Sequence, residues 1–198
     1  MVGETTKAII FDCDGTLADT MPAHFEAWTA MLSRYDFQLD EDRFYSLGGW
    51  PTESIVRLLA DESGRTVDVE LMTQEKETAY RALLHDVRPI EPVAAVVRAH
   101  HGKLPMAVAT GAFRSVCEET LEQVGLTGLF NALVSCEDVM RHKPDPDIFL
   151  EAARRLGTAP GHCLVFEDTD PGVEAARRAG MAFVDVRTFY TPRRVTAR

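Results

Sequence analysis

Five short apolar runs stand out along the 198-residue chain: Lys7–Asp12, Pro105–Thr110, Asn131–Ser135, His162–Glu167 and Ala182–Val186. Each is rich in Val, Ile, Phe or Ala and too short for a globular helix, so each predicts a buried strand. Helical patterns separate the later runs, over Glu91–His101, Phe113–Val124, Asp147–Leu156 and Pro171–Ala179. Several are followed by glycine (Gly102, Gly125, Gly157, Gly180), the usual residue past a helix end. Alternation of this kind predicts an α/β fold, a doubly wound parallel sheet with helices on both faces. Ligands of such sheets sit at the carboxyl ends of the strands.

One stretch breaks the alternation. From Asp19 to Asp86 no buried strand is evident, only helix-like segments over Pro22–Tyr35, Thr52–Ala60 and Val69–Leu84. These 68 residues read as a small helical domain (19–86) inserted after the first strand of a discontinuous sheet domain (1–18 and 87–198). The tail Thr191–Arg198 reads as a solvated end.

Composition narrows the class. An apolar fraction of 45% and a charged fraction of 26% exclude disorder as the main state. No run approaches the roughly 18 apolar residues of a membrane span. The net charge of −10, without a Lys/Arg block in the body of the chain, argues against nucleic acid and anionic membranes as partners. The start lacks the pattern of a signal peptide. The four cysteines have no zinc spacing and read as reduced thiols that fill space, so the expectation is a cytoplasmic protein and a monomer.

The candidate chemistry lies at the strand ends. Asp12-Cys13-Asp14-Gly15-Thr16 closes the first run, and two carboxylates so close repel unless something positive lies between them. The second run ends in Thr110-Gly111-Ala112, a hydroxyl followed by backbone amides that suit an anion. The fourth ends in a second acidic pair, Glu167-Asp168. Lys143, one of four lysines, sits in a proline-stiffened loop after the third run. Hard oxygen ligands favour Mg²⁺ over zinc, and Mg²⁺ beside a lysine and amide donors makes a phosphoryl-transfer site.

In order, these four segments resemble the motifs of the haloacid dehalogenase (HAD) superfamily: DxDGT, a Thr/Ser after the second strand, the Lys of KPxPxxF, and the acidic pair of FED. The likeness runs from Lys7 to Arg187 and implies a Rossmann-like core with an inserted helical cap of the first type. Gly49-Trp50-Pro51-Thr52, His101–Val108 and Ala179-Gly180-Met181 resemble the β-phosphoglucomutase-like branch, and within it the small bacterial sugar phosphatases of the fructose-1-phosphate type. The resemblance implies that Asp12 is a nucleophile forming an aspartyl-phosphate and that Asp14 is the acid and base. It implies Mg²⁺ on Asp12, the Asp14 carbonyl and Asp168, with Glu167 as a nearer or outer ligand. Thr110, Gly111, Ala112 and Lys143 would hold the phosphoryl group of a small phosphorylated metabolite. Thr169 stands where the family usually has Ser and keeps the hydroxyl.

In the cap, His24 matches a hinge histidine that orients Asp14. Trp28 reads as cap core, whereas Trp50, in a Gly/Pro loop, reads as facing substrate. Thr52 occupies the place of the mutase arginine that grips a second phosphate, which favours hydrolysis, although Arg57 or Arg81 could substitute. Arg81 and Glu53 are further candidates for facing the sugar. Lys76, among polar neighbours, reads as lying on an exposed helix face.

Overall fold

The computed structural model describes residues 2–196. Strands β1 (Ala8–Phe11), β2 (Met106–Ala109), β3 (Ala132–Val134), β4 (Cys163–Glu167) and β5 (Ala182–Asp185) form one parallel sheet in the order β3-β2-β1-β4-β5. The register aligns Ile9 with Met106 on one side and with Leu164 on the other. All five predicted strands are present, each within one residue of its apolar run. The edge strand β5, expected to be buried, is exposed at Ala182 and Phe183, because among the described residues no further strand or helix covers them.

The pleat of β1 explains why its run is apolar throughout. Ile9 and Phe11 face one layer with α5 (Glu91–His100) and α6 (Arg114–Gln123), through Val93, Val97, Cys117 and Leu121. Ala8 and Ile10 face the opposite layer with α7 (Asp147–Arg155) and α8 (Asp170–Arg178), through Ile148, Phe149, Ala152, Ala175 and Ala176. A strand buried on both faces loses the alternation of a half-exposed one. β1 lies where the strand order reverses, between β2 and β4, so its carboxyl end opens onto the crevice that such sheets use for ligands.

Between β1 and α5 run α1 (Met21–Leu32), α2 (Glu41–Ser46), α3 (Thr52–Ser63) and α4 (Val69–Leu83). They bury a core of their own, with Phe25, Trp28, Met31, Phe44, Val56, Leu59 and Met72 among its members. Helix α2 was not expected: six residues are under two turns, too few to show a period. Asp40 starts it by accepting a hydrogen bond from the Arg43 amide at 2.8 Å.

The tail departs from its reading as a solvated end. Glu41 of α2 accepts hydrogen bonds from the Val195 amide at 2.7 Å, the Thr196 amide at 3.0 Å and the Thr196 hydroxyl. The Arg194 guanidinium lies 3.9 Å from the Tyr45 ring centre and 3.1 Å from Asp42. The chain after β5 therefore reaches the helical layer, because a buried carboxylate there needs donors. Residues 197 and 198 of the predicted tail lie outside the described residues. No helix among those described is long and apolar enough to cross a membrane.

Candidate active site

The site begins where β1 stops. The Asp12 amide still donates to the Phe166 carbonyl at 3.0 Å, so the ladder fixes the Asp12 backbone. The chain then turns at Gly15, whose φ of +78° is a left-handed value. A Cβ on Gly15 would lie 2.1 Å from an Asp168 carboxylate oxygen, so the turn packs directly against the second acidic pair.

Lys143 is 3% exposed, and its Nζ donates to Asp12 Oδ1 at 2.5 Å and to Glu167 Oε1 at 2.8 Å. Burial alone would lower the lysine pKa, but the Asp12 and Glu167 charges reverse this and raise it. Glu167 is spent on structure. Its Oε2 accepts from the Thr169 amide at 2.6 Å and from the Thr169 hydroxyl at 2.9 Å, and that hydroxyl in turn accepts from the Gly172 amide, starting α8. Thr169 is thus a helix cap that also holds Glu167 in place.

One lysine does not balance this many buried acids. Burial pushes the Asp12 carboxyl up to about 7, with the Glu167 and Asp14 charges adding and Lys143 opposing. Asp168 is pushed well above the carboxylate range by burial and by the Glu167 and Asp12 charges, although Thr16 donates to it at 2.8 Å. A chemistry of crowded, hard oxygen donors short of positive charge fits a divalent cation. Among the described residues no three His, Cys, Asp or Glu side chains converge as a ready metal cluster. Mg²⁺ commonly takes only one or two carboxylates, completing its shell with other oxygens, so the fit does not need more.

Asp14 points the other way, toward the helical layer. Its Oδ1 lies 3.1 Å from His24 Nε2, and His24 Nδ1 lies 3.1 Å from the Lys76 ammonium. An ammonium only donates, so Nδ1 accepts, and the ring proton sits on Nε2 and is donated to Asp14. Burial would raise the Asp14 pKa, but the hydrogen bond from His24 and the nearby Lys76 charge lower it. The Tyr80 ring stacks on His24 with centres 3.9 Å apart.

Lys76 corrects the reading of an exposed face: it is 3% exposed. Besides His24 it meets Glu77 Oε1 at 3.1 Å, and its ammonium lies 5.8 and 5.6 Å from the ring centres of Trp28 and Tyr80. Glu77, one of the polar neighbours that gave that reading of an exposed face, is also buried, and its Oε1 accepts the Thr52 hydroxyl at 2.6 Å. The overlooked signal is spacing. Met72, Lys76 and Tyr80 are four residues apart, so Lys76 stands in the buried stripe of α4.

A cavity of about 60 Å³ lies between the sheet edge and the helices. Asp12, Asp14, Thr110, Gly111, Ala112, His24, Trp28, Trp50, Thr52, Lys76 and Glu77 all line it. The Gly48–Trp50 loop closes it: a Cβ on Gly111 would lie 2.5 Å from the Gly49 carbonyl oxygen.

Three expectations change here. The Ala112 amide, read as free for an anion, donates to the Thr110 hydroxyl at 3.1 Å, leaving that hydroxyl proton available to a ligand. Arg81 is exposed and pairs with Glu119 at 2.7 Å, while Arg57 and Glu53 face each other at 3.9 Å. None of the three lines the cavity. Long charged side chains on an exposed helix face find partners there in place of a ligand.

A parallel α/β sheet thus gathers buried carboxylates and one lysine at its switch point, beneath a helical layer inserted after the first strand. The chain belongs to the haloacid dehalogenase-like hydrolase family, which matches residues 9–186. It is similar to the fructose-1-phosphate phosphatase YqaB of Escherichia coli, 42% identical over 93% of this chain and 98% of the relative. It is also similar to the beta-phosphoglucomutase of Bacillus subtilis, 28% identical over 91% of this chain and 83% of the relative. The crystal structure of a hydrolase from Pseudomonas syringae superposes with a TM-score of 0.84 at 26% identity, covering 94% of this chain and 87% of that one.

Proposed function

We propose that the chain is a Mg²⁺-dependent phosphatase that hydrolyses a small phosphorylated sugar or related metabolite through an aspartyl-phosphate on Asp12. The observation that carries the reading is Asp12, held from behind by the buried Lys143 and lining the same cavity as Thr110 and Gly111. The name of the Escherichia coli relative supports the substrate class. The division into a sheet unit (1–18 and 87–198) and a helical cap (19–86) belongs to the same reading, supported by the separate core of α1–α4.

Lys143 holds Asp12 Oδ1, which leaves Oδ2 to attack phosphorus as the bond from phosphorus to the sugar oxygen breaks. Lys143 and the Thr110 hydroxyl steady the charge of the transferring group. Asp14 gives a proton to the departing oxygen and later takes one from the water that cleaves the aspartyl-phosphate. Its depressed pKa suits the second role, and the incoming phosphate dianion raises its proton affinity for the first. Asp12, the Asp14 carbonyl and Asp168 would hold Mg²⁺, with Glu167 outside because both its oxygens are engaged. When bound, the cation supplies positive charge that lets a dianion enter an acidic site. The site is assembled from a single chain, so a monomer suffices. The four cysteines are all free and buried, which supports a reducing compartment such as the cytoplasm.

A phosphohexomutase is the second reading, and the cavity argues against it. A second phosphate calls for a cationic clamp, yet among the described residues no arginine lines the cavity, Thr52 is turned to Glu77, and the Lys76 ammonium that does line it is already paired with Glu77. The test is phosphate release from a panel of phosphorylated metabolites, with Mg²⁺ and with chelator. Sugar monophosphates should be hydrolysed only with Mg²⁺ and not by Asp12→Asn. An Asp12→Asn protein with full activity overturns the reading, as does conversion of β-glucose-1-phosphate to glucose-6-phosphate, primed with glucose-1,6-bisphosphate, far faster than phosphate release.

A further inference from the structure

Among the described residues, Glu77 is the one acidic group of the helical layer that lines the cavity. It is 6% exposed, and its two oxygens are unequal. Oε1 accepts from the Thr52 hydroxyl at 2.6 Å and from the Lys76 ammonium at 3.1 Å. Oε2 is buried and has no hydrogen-bond partner among the described residues. Burial would raise its pKa, but the Lys76 charge and the hydrogen bonds from Thr52 and Lys76 bring it down, so it stands as a carboxylate. A carboxylate pinned by two donors on one oxygen, with the other buried and unpartnered on a residue that lines the cavity, is an acceptor waiting for a donor.

We infer that Glu77 is a specificity-determining residue: its Oε2 accepts a hydroxyl of the sugar or polyol part of a monophosphate and repels a second phosphate at the same place. The inference rests on the phosphatase reading above and assigns the cap end of that site. Thr52 is a positioning residue, because its hydroxyl holds Oε1 and so presents Oε2. The wall beside Glu77 is apolar (Trp28, Phe44, Leu47, Ile55), which suits the carbon face of a polyol and makes an unmet polar group there more costly. A buried acceptor of this kind discriminates steeply, since a ligand lacking the hydroxyl leaves it unpaired.

The experiment compares kcat/KM for a hydrolysed sugar monophosphate, its monodeoxy analogues and its bisphosphate, in the wild type, Glu77→Gln and Thr52→Val. Glutamine keeps the shape and keeps one acceptor for Thr52 and Lys76, but turns an amide donor to the cavity. In the wild type one deoxygenation should cost about 10- to 100-fold, the scale of a charged hydrogen bond. Glu77→Gln should lose a similar factor on the parent sugar, mostly in KM, and become indifferent to that deoxygenation. Its discrimination against the bisphosphate should also narrow. Thr52→Val should show the same pattern more weakly, which keeps the test open if Glu77→Gln folds poorly. Both variants keeping the wild-type response to every deoxygenation, with discrimination against the bisphosphate unchanged, overturns the inference. A wild type that releases phosphate from no sugar monophosphate overturns the phosphatase reading instead, and that is read without any variant.

Discussion

The helical layer meets the sheet layer through one fully buried hydroxyl pair, Tyr80 of α4 and Thr120 of α6, 2.9 Å apart. Thr120 has a single proton, and it goes to the Val116 carbonyl at 2.9 Å. Tyr80 is therefore the donor in the pair. Tyr80→Phe removes that donor and leaves Thr120 still bonded, so it should cost about 0.5–1.5 kcal/mol, the net worth of a neutral hydrogen bond. Thr120→Val removes the acceptor and leaves a tyrosine hydroxyl stranded at 0% exposure, so it should cost about 1–3 kcal/mol. The double variant strands nothing and should be more stable than Thr120→Val alone. At about 2–4 °C per kcal/mol for a chain of this size, thermal unfolding resolves these differences. Phenylalanine keeps a ring against His24, so kcat should hold in Tyr80→Phe while stability falls. Equal and additive losses in the two single variants would refute the assigned donor and the pair itself.

Two further outcomes follow from the geometry. Gly111→Ala meets no left-handed backbone, but its Cβ would sit 2.5 Å from the Gly49 carbonyl oxygen. The closing loop must then stand off by close to an ångström, a misplacement worth about 100-fold in rate, and a kcat/KM within twofold of wild type would show that turnover does not need the loop seated there. Asp138 ties the β3 edge to Arg155 at 2.7 Å and Arg114 at 2.6 Å. Burial raises its pKa, but the Arg155 bond, the Ser135 donors and the Arg114 charge overcome this and hold it at about 2, against 3.8 unperturbed. A depressed carboxylate stabilises the fold above its unfolded pKa and ceases to as pH falls through the folded one. The melting gap between wild type and Asp138→Asn should therefore be full at pH 7 and narrow between about pH 4 and 2. A gap that does not change with pH would refute the assignment.

The apolar runs and their spacing determined the sheet, because a strand buried on both faces needs no partner to declare itself in sequence. The acidic pairs, Thr110 and Lys143 were legible for a related reason: parallel topology delivers strand ends to one edge, so positions far apart in the chain share an address. The helical layer was less legible. Lys76 and Glu77 read as solvent-facing because charge usually is, and only packing against Trp28, Tyr80 and His24 shows that they are buried and paired. Arg81 and Glu53 looked like ligands of a sugar until exposed partners were seen to engage them. Nor could local pattern reveal that Glu41 fastens the tail, since its donors lie more than 150 residues away. The sequence by itself determined the order of strands and helices and the chemistry at the strand ends, since both follow from local periodicity and from chain connectivity. Only the tertiary structure decided which polar side chains are buried, which proton His24 carries, and which oxygen of Glu77 is left bare, because hydrogen bonds across elements are set by where packing brings two groups within about 3 Å.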